Sequence, residues 1–197
     1  MKVLFIGNSY TYFNDLPAMF AEICAAHGVT AEVDSVTRGG YTLRHYLTEG
    51  NEKAAEAESK LSENKYDYVV LQEQSVRPAK DPEQFLSAAA LLCERIRKNG
   101  AVPVFYQTWG RRDDSKVLEE NGWTHEQMQD LLRGAYEKAA KDNSAVLVYA
   151  GDAFHRAYRG EQGSSVYADD GTHPSTIGTR VVAEEFYNVL AKKQKIF

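Results

Sequence analysis

The sequence predicts an α/β fold: a three-layer α/β/α sandwich with a central five-stranded parallel sheet. Two observations predict it. Five short apolar runs of strand character recur along the 197 residues, and segments with helical spacing alternate with them. Short strands that alternate with helices form right-handed βαβ units, which produce a parallel sheet covered on both faces. No linker or internal repeat is visible, so we expect one domain over residues 1–197.

Each predicted element has its own local signal. The first strand, KVLFIG at residues 2–7, is a continuous apolar run that ends in glycine. The other strand runs are VTAEVDSV at 29–36, YDYVVLQ at 66–72, AVPVFYQ at 101–107 and AVLVYAG at 145–151. Helices are predicted at 16–28, 52–64, 81–100, 124–143 and 176–193, with a short amphipathic segment at 42–50. Glycine at helix ends, proline at a first position and a threonine cap support these boundaries.

Two irregular stretches interrupt the alternation, at residues 108–123 and 159–175. Long loops in a compact domain are uncommon and often functional. In open parallel sheets, ligands bind beyond the carboxyl ends of the strands. Ser9 and the segments LQEQS (71–75) and YQTWG (106–110) are all predicted to lie at that edge.

Charge and composition exclude several classes of protein. The net charge is −5, whereas nucleic-acid binding needs a basic face, and the basic run KKQKIF at 192–197 is typical of a solvated helix end. No apolar run reaches the roughly 20 residues that span a bilayer, and no signal peptide is recognisable. We therefore expect a cytoplasmic protein that binds neither nucleic acid nor membrane. A secreted chain trimmed of its signal would show the same pattern.

The cysteines and histidines do not have the spacing of a metal site. Cys24 and Cys93 fall in apolar helical patterns and are expected to be buried, reduced thiols. No Cys/His cluster has zinc-ligand spacing. The sequence therefore predicts no metal and no cofactor.

Ser9 follows the first strand directly, in the sequence GNSYT at residues 7–11. A serine at a strand-to-helix turn is commonly a helix cap. The alternative is a nucleophile, which needs a base within hydrogen-bond reach and donors for the developing oxyanion. The local sequence alone favours the cap.

Of the five histidines, His173 has the setting expected of a base. It lies in the turn-rich sequence YADDGTHPSTIG, just before the final helix. Asp170 precedes it by three residues, and on a turn this spacing lets the carboxylate accept from Nδ1 while Nε2 points outward. Asp169 is a rival for that role, and an Asx turn is the structural alternative for Asp170. His27 is interpreted as a helix-end residue and the other three as surface or hydrogen-bonded residues of helices.

Together these motifs resemble the SGNH, or GDSL-type, hydrolases. Gly-Asn-Ser follows the first strand, a Gly-Gly turn the second and a polar amide segment the third, and Asp-Gly-Thr-His-Pro comes before the last helix. The resemblance spans residues 3–178. It implies a flavodoxin-like three-layer fold and the hydrolysis of esters of lipids and carbohydrates.

The resemblance also implies roles for the matching residues. Ser9 matches the nucleophile, and its backbone N–H is one oxyanion donor. Gly40 matches the oxyanion-hole glycine, with Gly39 as a near alternative, and glycine lets the backbone approach the charge closely. Asp170 and His173 match the orienting acid and the general base.

Two positions depart from the family pattern. The family usually has Gly-Asp-Ser, and here the middle residue is Asn8. The family's Gly-x-Asn-Asp block is replaced by LQEQS, with Gln74 where the asparagine falls. Gln74 keeps the amide N–H₂ donor on a side chain one methylene longer, and Gln72 is a second candidate in the same block. Because an oxyanion donor is typically worth about 10²–10³ in kcat, the choice is measurable.

The candidate substrate-binding residues are Tyr10, Gln72, Trp109 and Tyr167, which lie in or beside the loops at the proposed site. Aromatic faces with polar handles suit sugar stacking or an acyl pocket, and packing is the structural alternative. The run RRDD at 111–114 is interpreted as a mutually paired, solvated charge cluster rather than an anion site. The chain leaves little length for a lid or a lipid tunnel, which favours short acyl groups.

The sequence therefore predicts a serine esterase whose substrate is a small-molecule or carbohydrate ester, above all an acetyl ester. A hypothesis from another class is a carbohydrate-binding protein of the same fold whose chemistry is impaired. A lysophospholipase- or thioesterase-type hydrolase is a further alternative. Nucleotide binding is disfavoured, because neither the GxGxxG nor the P-loop pattern occurs.

Overall fold

The computed structural model describes residues 1–192. The strands are β1 (Lys2–Gly7), β2 (Glu32–Thr37), β3 (Tyr68–Leu71), β4 (Val102–Tyr106) and β5 (Val146–Val148). Within the described range they form one five-stranded sheet in the order β2-β1-β3-β4-β5, and all neighbouring pairs are parallel. This is the flavodoxin-like strand order. The predicted α/β fold with a central five-stranded parallel sheet is confirmed.

Helices connect the strands and cover the sheet. They are α1 (Ser9–Tyr12), α2 (Leu16–Ala26), α3 (Glu52–Glu63), α4 (Arg77–Lys80), α5 (Pro82–Lys98), α6 (Lys116–Asn121), α7 (His125–Asp142), α8 (Ala150–Arg159) and α9 (Thr176–Phe186). Short 3₁₀ turns occupy Phe13–Asp15, Leu43–Leu47 and Gly163–Val166, and a π turn follows α9 at Tyr187–Ala191. Polar side chains begin several helices, for example Asp81 at α5 and Thr124 at α7.

The apolar residues of the strands fall on two faces, as a sheet covered on both sides requires. Val3 and Phe5 of β1 belong to the core on one side, with side chains from α2, α8 and α9. Leu4 and Ile6 belong to the core on the other side, with side chains from α3, α5 and α7. Because both faces are buried, the strand is a continuous apolar run instead of an alternating one.

Two parts of the chain differ from the predicted elements. The run at 145–151 was predicted as strand, but β5 ends at Val148 and α8 begins at Ala150. Gly151 lies in the first turn of this helix. A Cβ at this position would be 2.0 Å from the carbonyl oxygen of Thr108, so α8 can pack this closely on Thr108 only because the residue is glycine. The irregular stretch at 108–123 contains α6. Residues 193–197, which contain all of the basic run except Lys192 and also the last residue of the predicted final helix, lie outside the described residues.

Several smaller expectations can be compared with the structure. Cys24 and Cys93 are both buried free thiols, and burial raises the pKa of each to about 11. His27 is the C-terminal cap residue of α2. His125 is buried and bonded to the Arg111 carbonyl and to His155. Over residues 1–192, no helix combines the length and apolarity needed to cross a membrane.

The segments that follow β1 and β3 pack tightly against each other at Gly7. A Cβ at Gly7 would lie 2.6 Å from the Gln72 side-chain oxygen and 2.6 Å from the Thr11 hydroxyl. The glycine that ends β1 is therefore needed for the close approach of the loops after the two strands. This contact places Ser9 beside the LQEQS segment.

Candidate active site

Ser9 is the first residue of α1 and does not cap it. Asn8 is the cap, since its side-chain oxygen accepts a hydrogen bond from the backbone N–H of Tyr10. The interpretation of Ser9 as a helix cap is therefore wrong. Its hydroxyl instead faces the far end of the chain, where Ser9 Oγ lies 2.8 Å from His173 Nε2.

Asp170 holds the other side of the same imidazole. Its Oδ2 lies 2.6 Å from His173 Nδ1, and its Oδ1 accepts the backbone N–H groups of Thr172 and His173, each at 2.9 Å. One carboxylate thus makes both the Asx turn and the bond to the ring, so the two alternatives for Asp170 coexist. Partial burial raises the pKa of Asp170, but the bonds from His173 and the backbone outweigh it and keep the pKa below its usual value. Asp170, and not Asp169, makes the contact with the ring.

The imidazole is also held by aromatic contacts. Phe13 stacks on His173 with ring centroids 4.0 Å apart and planes 9° apart. Tyr10 meets the ring edge-on at 5.6 Å. These contacts restrict the ring to an orientation in which Nε2 faces Ser9. Phe13 was not predicted from the sequence, because it lies in a turn whose course the residue pattern does not reveal.

A small cavity opens in front of Ser9. Its volume is about 230 Å³, and it is lined by residues 8–10, Gly40, Gln74, Ser75, Arg111 and residues 172–173. The structure thus brings Ser9, Gly40, Gln74, His173 and Tyr10 together. Gly40 has φ +74°, a left-handed conformation that favours glycine. Gly39, its near alternative, does not line the cavity.

Gln74 has one end of its amide fixed and the other available. Its Oε1 accepts the backbone N–H groups of Val76 at 3.0 Å and Arg77 at 3.1 Å. Its Nε2 has no hydrogen-bond partner among residues 1–192, and the residue lines the cavity. Gln74 therefore lines the cavity, at the position where the family pattern has asparagine, with an amide whose Nε2 makes no bond to another described residue.

Gln72 has a different place, and the prediction that it contacts substrate or completes the oxyanion hole is corrected. It is fully buried, and its Oε1 accepts from the Asn8 N–H at 2.8 Å and from the Thr11 hydroxyl at 3.0 Å. Its Nε2 donates to Asn8 Oδ1 at 2.9 Å and to the Glu73 carbonyl. All its polar atoms are engaged, so Gln72 supports the turn that carries Ser9.

Trp109 and Tyr167 are also buried, so the prediction that they contact substrate is corrected. Trp109 is stacked between Tyr10 at 4.4 Å and Phe154 at 4.1 Å, and its Nε1 donates to the Thr172 carbonyl. Tyr167 donates its hydroxyl to the Gly110 carbonyl at 2.6 Å. Both aromatic side chains point into the core from loops at the edge of the sheet. Of the predicted aromatic contacts, only Tyr10 lines the cavity.

Arg111 lines the cavity, contrary to its interpretation as part of a solvated charge cluster. Arg112 pairs with Asp114 at 2.7 Å, and Asp113 pairs with Arg159. Arg111 instead turns inward and is only 8% exposed. The local sequence does not distinguish Arg111 from Arg112. Asp113, which could have paired with Arg111, pairs instead with Arg159 of α8, and this partner is distant in the sequence.

Glu73, like Phe13 and Arg111, is a residue of this region that sequence reasoning missed. It is buried, and its carboxylate accepts from the backbone N–H of Gln74 at 2.6 Å and of Leu43 at 3.1 Å. It thereby joins the loop after β2 to the loop after β3. Burial raises the pKa of Glu73 to about 7, although the two backbone bonds act in the opposite direction. The signal in the sequence was a lone acidic residue directly after a buried strand.

The geometry has the parts of an acyl-transfer site. It has a hydroxyl bonded to an imidazole, a carboxylate that orients the imidazole, and N–H donors around a cavity. Over the described residues, no three His, Cys, Asp or Glu side chains converge to hold a metal ion.

Comparisons with known proteins were made by sequence and by structure. No family model matches the chain, and no curated protein matches it. Among solved structures, a protein from Slackia heliotrinireducens assigned to the SGNH hydrolases is 33% identical, with a TM-score of 0.86, over 96% of this chain and 98% of that one.

Two further structures share the fold at lower identity. A DUF4886 family protein from Bacteroides uniformis is 24% identical with a TM-score of 0.83, over 97% of this chain and 83% of that one. The acetylxylan esterase Axe2 from Geobacillus stearothermophilus is 17% identical with a TM-score of 0.71, over 96% and 94%. Because the Slackia protein matches at 33% identity over nearly the whole of both chains, this chain belongs to the SGNH, or GDSL-type, superfamily of ester hydrolases.

Proposed function

We propose that the protein is a serine esterase that cleaves short-acyl esters of carbohydrates, acetyl esters above all, through an acyl-enzyme. The observation that carries the proposal is the continuous chain of hydrogen bonds from Asp170 through His173 to Ser9 Oγ, at 2.6 and 2.8 Å. This series of hydrogen bonds ends at the wall of the cavity, which is where we place the ester carbonyl.

In the proposed mechanism Ser9 Oγ attacks the carbonyl carbon while His173 Nε2 takes its proton. Asp170 keeps the ring oriented and stabilises the imidazolium that forms. The oxyanion accepts hydrogen bonds from the backbone N–H groups of Ser9 and Gly40 and from Gln74 Nε2. His173 then protonates the departing alcohol. Water, activated by the same base, releases the acid from the acyl-enzyme.

The size of the cavity supports a short acyl group. About 230 Å³ holds an acetyl group and part of an alcohol, but not a long acyl chain, which disfavours the lysophospholipase alternative. The neighbour Axe2 is named as an acetylxylan esterase, which supports a carbohydrate acetyl ester as the substrate. The departure from the Gly-x-Asn-Asp block is what favours the binding-protein alternative, and the amide of Gln74 at the cavity wall weighs against that alternative.

The proposal is tested with Ser9→Ala and 4-nitrophenyl acetate. Removal of the nucleophile of a serine triad lowers kcat by about 10⁶-fold, so the variant should show no activity above background. A fluorophosphonate should label the wild-type protein and Ser62→Ala, which changes an exposed serine on α3, but not Ser9→Ala. Undiminished turnover or labelling in Ser9→Ala would refute the mechanism.

A further inference from the structure

Arg111 places a positive charge in the active-site cavity without a carboxylate to balance it. Its NH1 donates to the Tyr10 hydroxyl at 2.6 Å and its NH2 to the Ser75 hydroxyl at 2.7 Å. Both partners are neutral. The residue is 8% exposed and makes no ion pair within residues 1–192. Buried charges in proteins are usually paired, so this arrangement calls for an explanation.

The acidic residues closest in sequence are engaged elsewhere. Asp113 pairs with Arg159, and Asp114 pairs with Arg112. Glu73 is buried and accepts two backbone N–H groups, those of Leu43 and Gln74. None of the residues that line the cavity is acidic, so the lining carries no charge that opposes Arg111.

The guanidinium also has donors to spare. Of its five N–H bonds, two are used by the hydroxyls of Tyr10 and Ser75. Its Nε is buried and has no hydrogen-bond partner among the described residues. The planar fork of arginine matches a carboxylate, which accepts two parallel N–H bonds. Tyr10 and Ser75 hold the fork in place, and Tyr10 further bonds Thr172, the neighbour of His173.

We propose that Arg111 binds a carboxylate of the substrate, so that the ester cleaved at Ser9 belongs to an anionic molecule such as an acetylated sugar acid. This inference rests on the proposed esterase function. In it Arg111 is a specificity-determining residue, which contacts the substrate away from the scissile bond. The carboxylate supplies the missing counter-charge when the substrate is bound.

The test compares esters that differ in charge and little else. 4-Acetoxybenzoate and its neutral amide, 4-acetoxybenzamide, place the difference in the alcohol part. 4-Nitrophenyl hydrogen fumarate and 4-nitrophenyl fumaramate place it in the acyl part, and their trans double bond keeps the carboxylate from attacking its own ester. Because a hydrogen bond to a charged group is worth about ten- to hundred-fold in affinity, the wild-type enzyme should favour the anionic member of one pair by about that factor in kcat/KM.

Substitution of Arg111 should remove this preference. In Arg111→Gln the ratio of kcat/KM, anionic over neutral, should fall by about ten- to hundred-fold, and Arg111→Lys should retain part of it because the charge remains but the fork is lost. The matched control is Arg156→Gln, which removes the same charge from an exposed position on α8 and should leave the ratio unchanged.

The outcomes separate the two proposals. Turnover that depends on Ser9 but shows no anionic preference in either pair overturns the role of Arg111 and leaves the esterase function standing. A preference that survives in Arg111→Gln also overturns it. If Arg111→Gln does not fold, the anionic-over-neutral ratios of kcat/KM in the wild-type enzyme decide: a ratio near one in both pairs overturns the proposal. Turnover of all four esters by Ser9→Ala would instead refute the esterase mechanism itself.

Discussion

At the scale of single residues, two side chains of the site, those of Asp170 and Gln74, each have a structural contact and a proposed catalytic one. Asp170 uses one oxygen for the turn and the other for the imidazole. Gln74 uses Oε1 to hold the backbone of residues 76 and 77, and in the proposed mechanism its Nε2 donates to the oxyanion. Such double use means that a substitution can remove the catalytic contact while keeping the structural one, and Gln74 allows this to be tested.

Gln74→Glu should inactivate the enzyme without unfolding it. The glutamate retains an oxygen for the two backbone N–H groups but replaces the Nε2 donor with a second oxygen, which repels the oxyanion. We expect kcat for 4-nitrophenyl acetate to fall by at least about 10²–10³-fold, the usual worth of one donor. The thermal midpoint should stay near that of the wild type.

The control for this experiment is Gln162→Glu. It adds the same charge at an exposed glutamine in the loop before β-bridge residue Tyr167 and should leave kcat unchanged. Activity of Gln74→Glu within a few-fold of the wild type would show that the third donor lies elsewhere.

The residues of the site differ in how far the sequence predicted them. The roles of Ser9, Asp170 and His173 were predicted because their motifs, in this order along the chain, resemble those of the family, whereas the local pattern alone favoured a cap for Ser9. The prediction that Trp109 contacts substrate was wrong. Its position after a strand places its backbone at the edge of the sheet but does not determine whether its side chain points to the cavity or into the core. The inward turn of Arg111 depends on the pairing of Asp113 with Arg159, a contact across 46 positions that no local pattern contains.

At the scale of elements, the loop after β2 reaches the site through one left-handed residue. Gly40 has φ +74°, and a Cβ there would meet nothing within 4 Å. Gly28, at the end of α2, has φ +73° and is equally open. The two glycines therefore have the same backbone conformation and the same free space, but only Gly40 lines the cavity.

Gly40→Ala and Gly28→Ala should consequently have the same stability and different activities. The left-handed conformation costs a residue with a Cβ about 1–2 kcal/mol, so both variants should lose about that much free energy of unfolding. Only Gly40→Ala should lower kcat, by about ten-fold or more, because relief of the strain moves its N–H away from the oxyanion. Denaturant melts and esterase assays on the pair measure both effects. Equal kcat values in Gly40→Ala and Gly28→Ala would show that the Gly40 N–H does not donate to the oxyanion.

The elements themselves were largely predictable, and the exceptions share a cause. The strands and the long helices appear where apolar runs and caps indicate them. Helix α8 was missed because its first residues continue the apolar run of β5, and Gly151 suggested a strand end. The close packing of Gly151 on Thr108 is a tertiary requirement, which a local pattern does not show.

At the scale of the whole molecule, the buried Glu73 links stability to pH. Its pKa in the folded protein is about 7, above the ordinary value of 4.5, and burial is the main cause. Between these values the folded state keeps a proton that the unfolded state releases. The stabilisation is therefore complete below about pH 4.5 and is lost as the pH rises through about 7, by on the order of 3 kcal/mol.

Glu73→Gln should flatten this dependence. The glutamine does not ionise, so the decline in the free energy of unfolding from pH 5 to pH 7.5 should be smaller in the variant than in the wild type. Its amide group cannot accept both backbone N–H bonds, so the variant should be less stable at pH 5. Glu161→Gln, in an exposed loop, is the control. An unchanged slope in Glu73→Gln would mean that Glu73 is ionised throughout this range.

The bond between Ser9 and His173 spans 164 positions of the chain. Ser9 comes before Gly40, Gln74 and His173 along the chain, so a ribosome makes it well before His173, which follows all five described strands of the sheet. In the proposed mechanism, a nascent chain therefore has a nucleophile without its base until His173 is made. We expect hydrolytic activity to begin only when the segment after α8 has left the ribosome and docked beside β1.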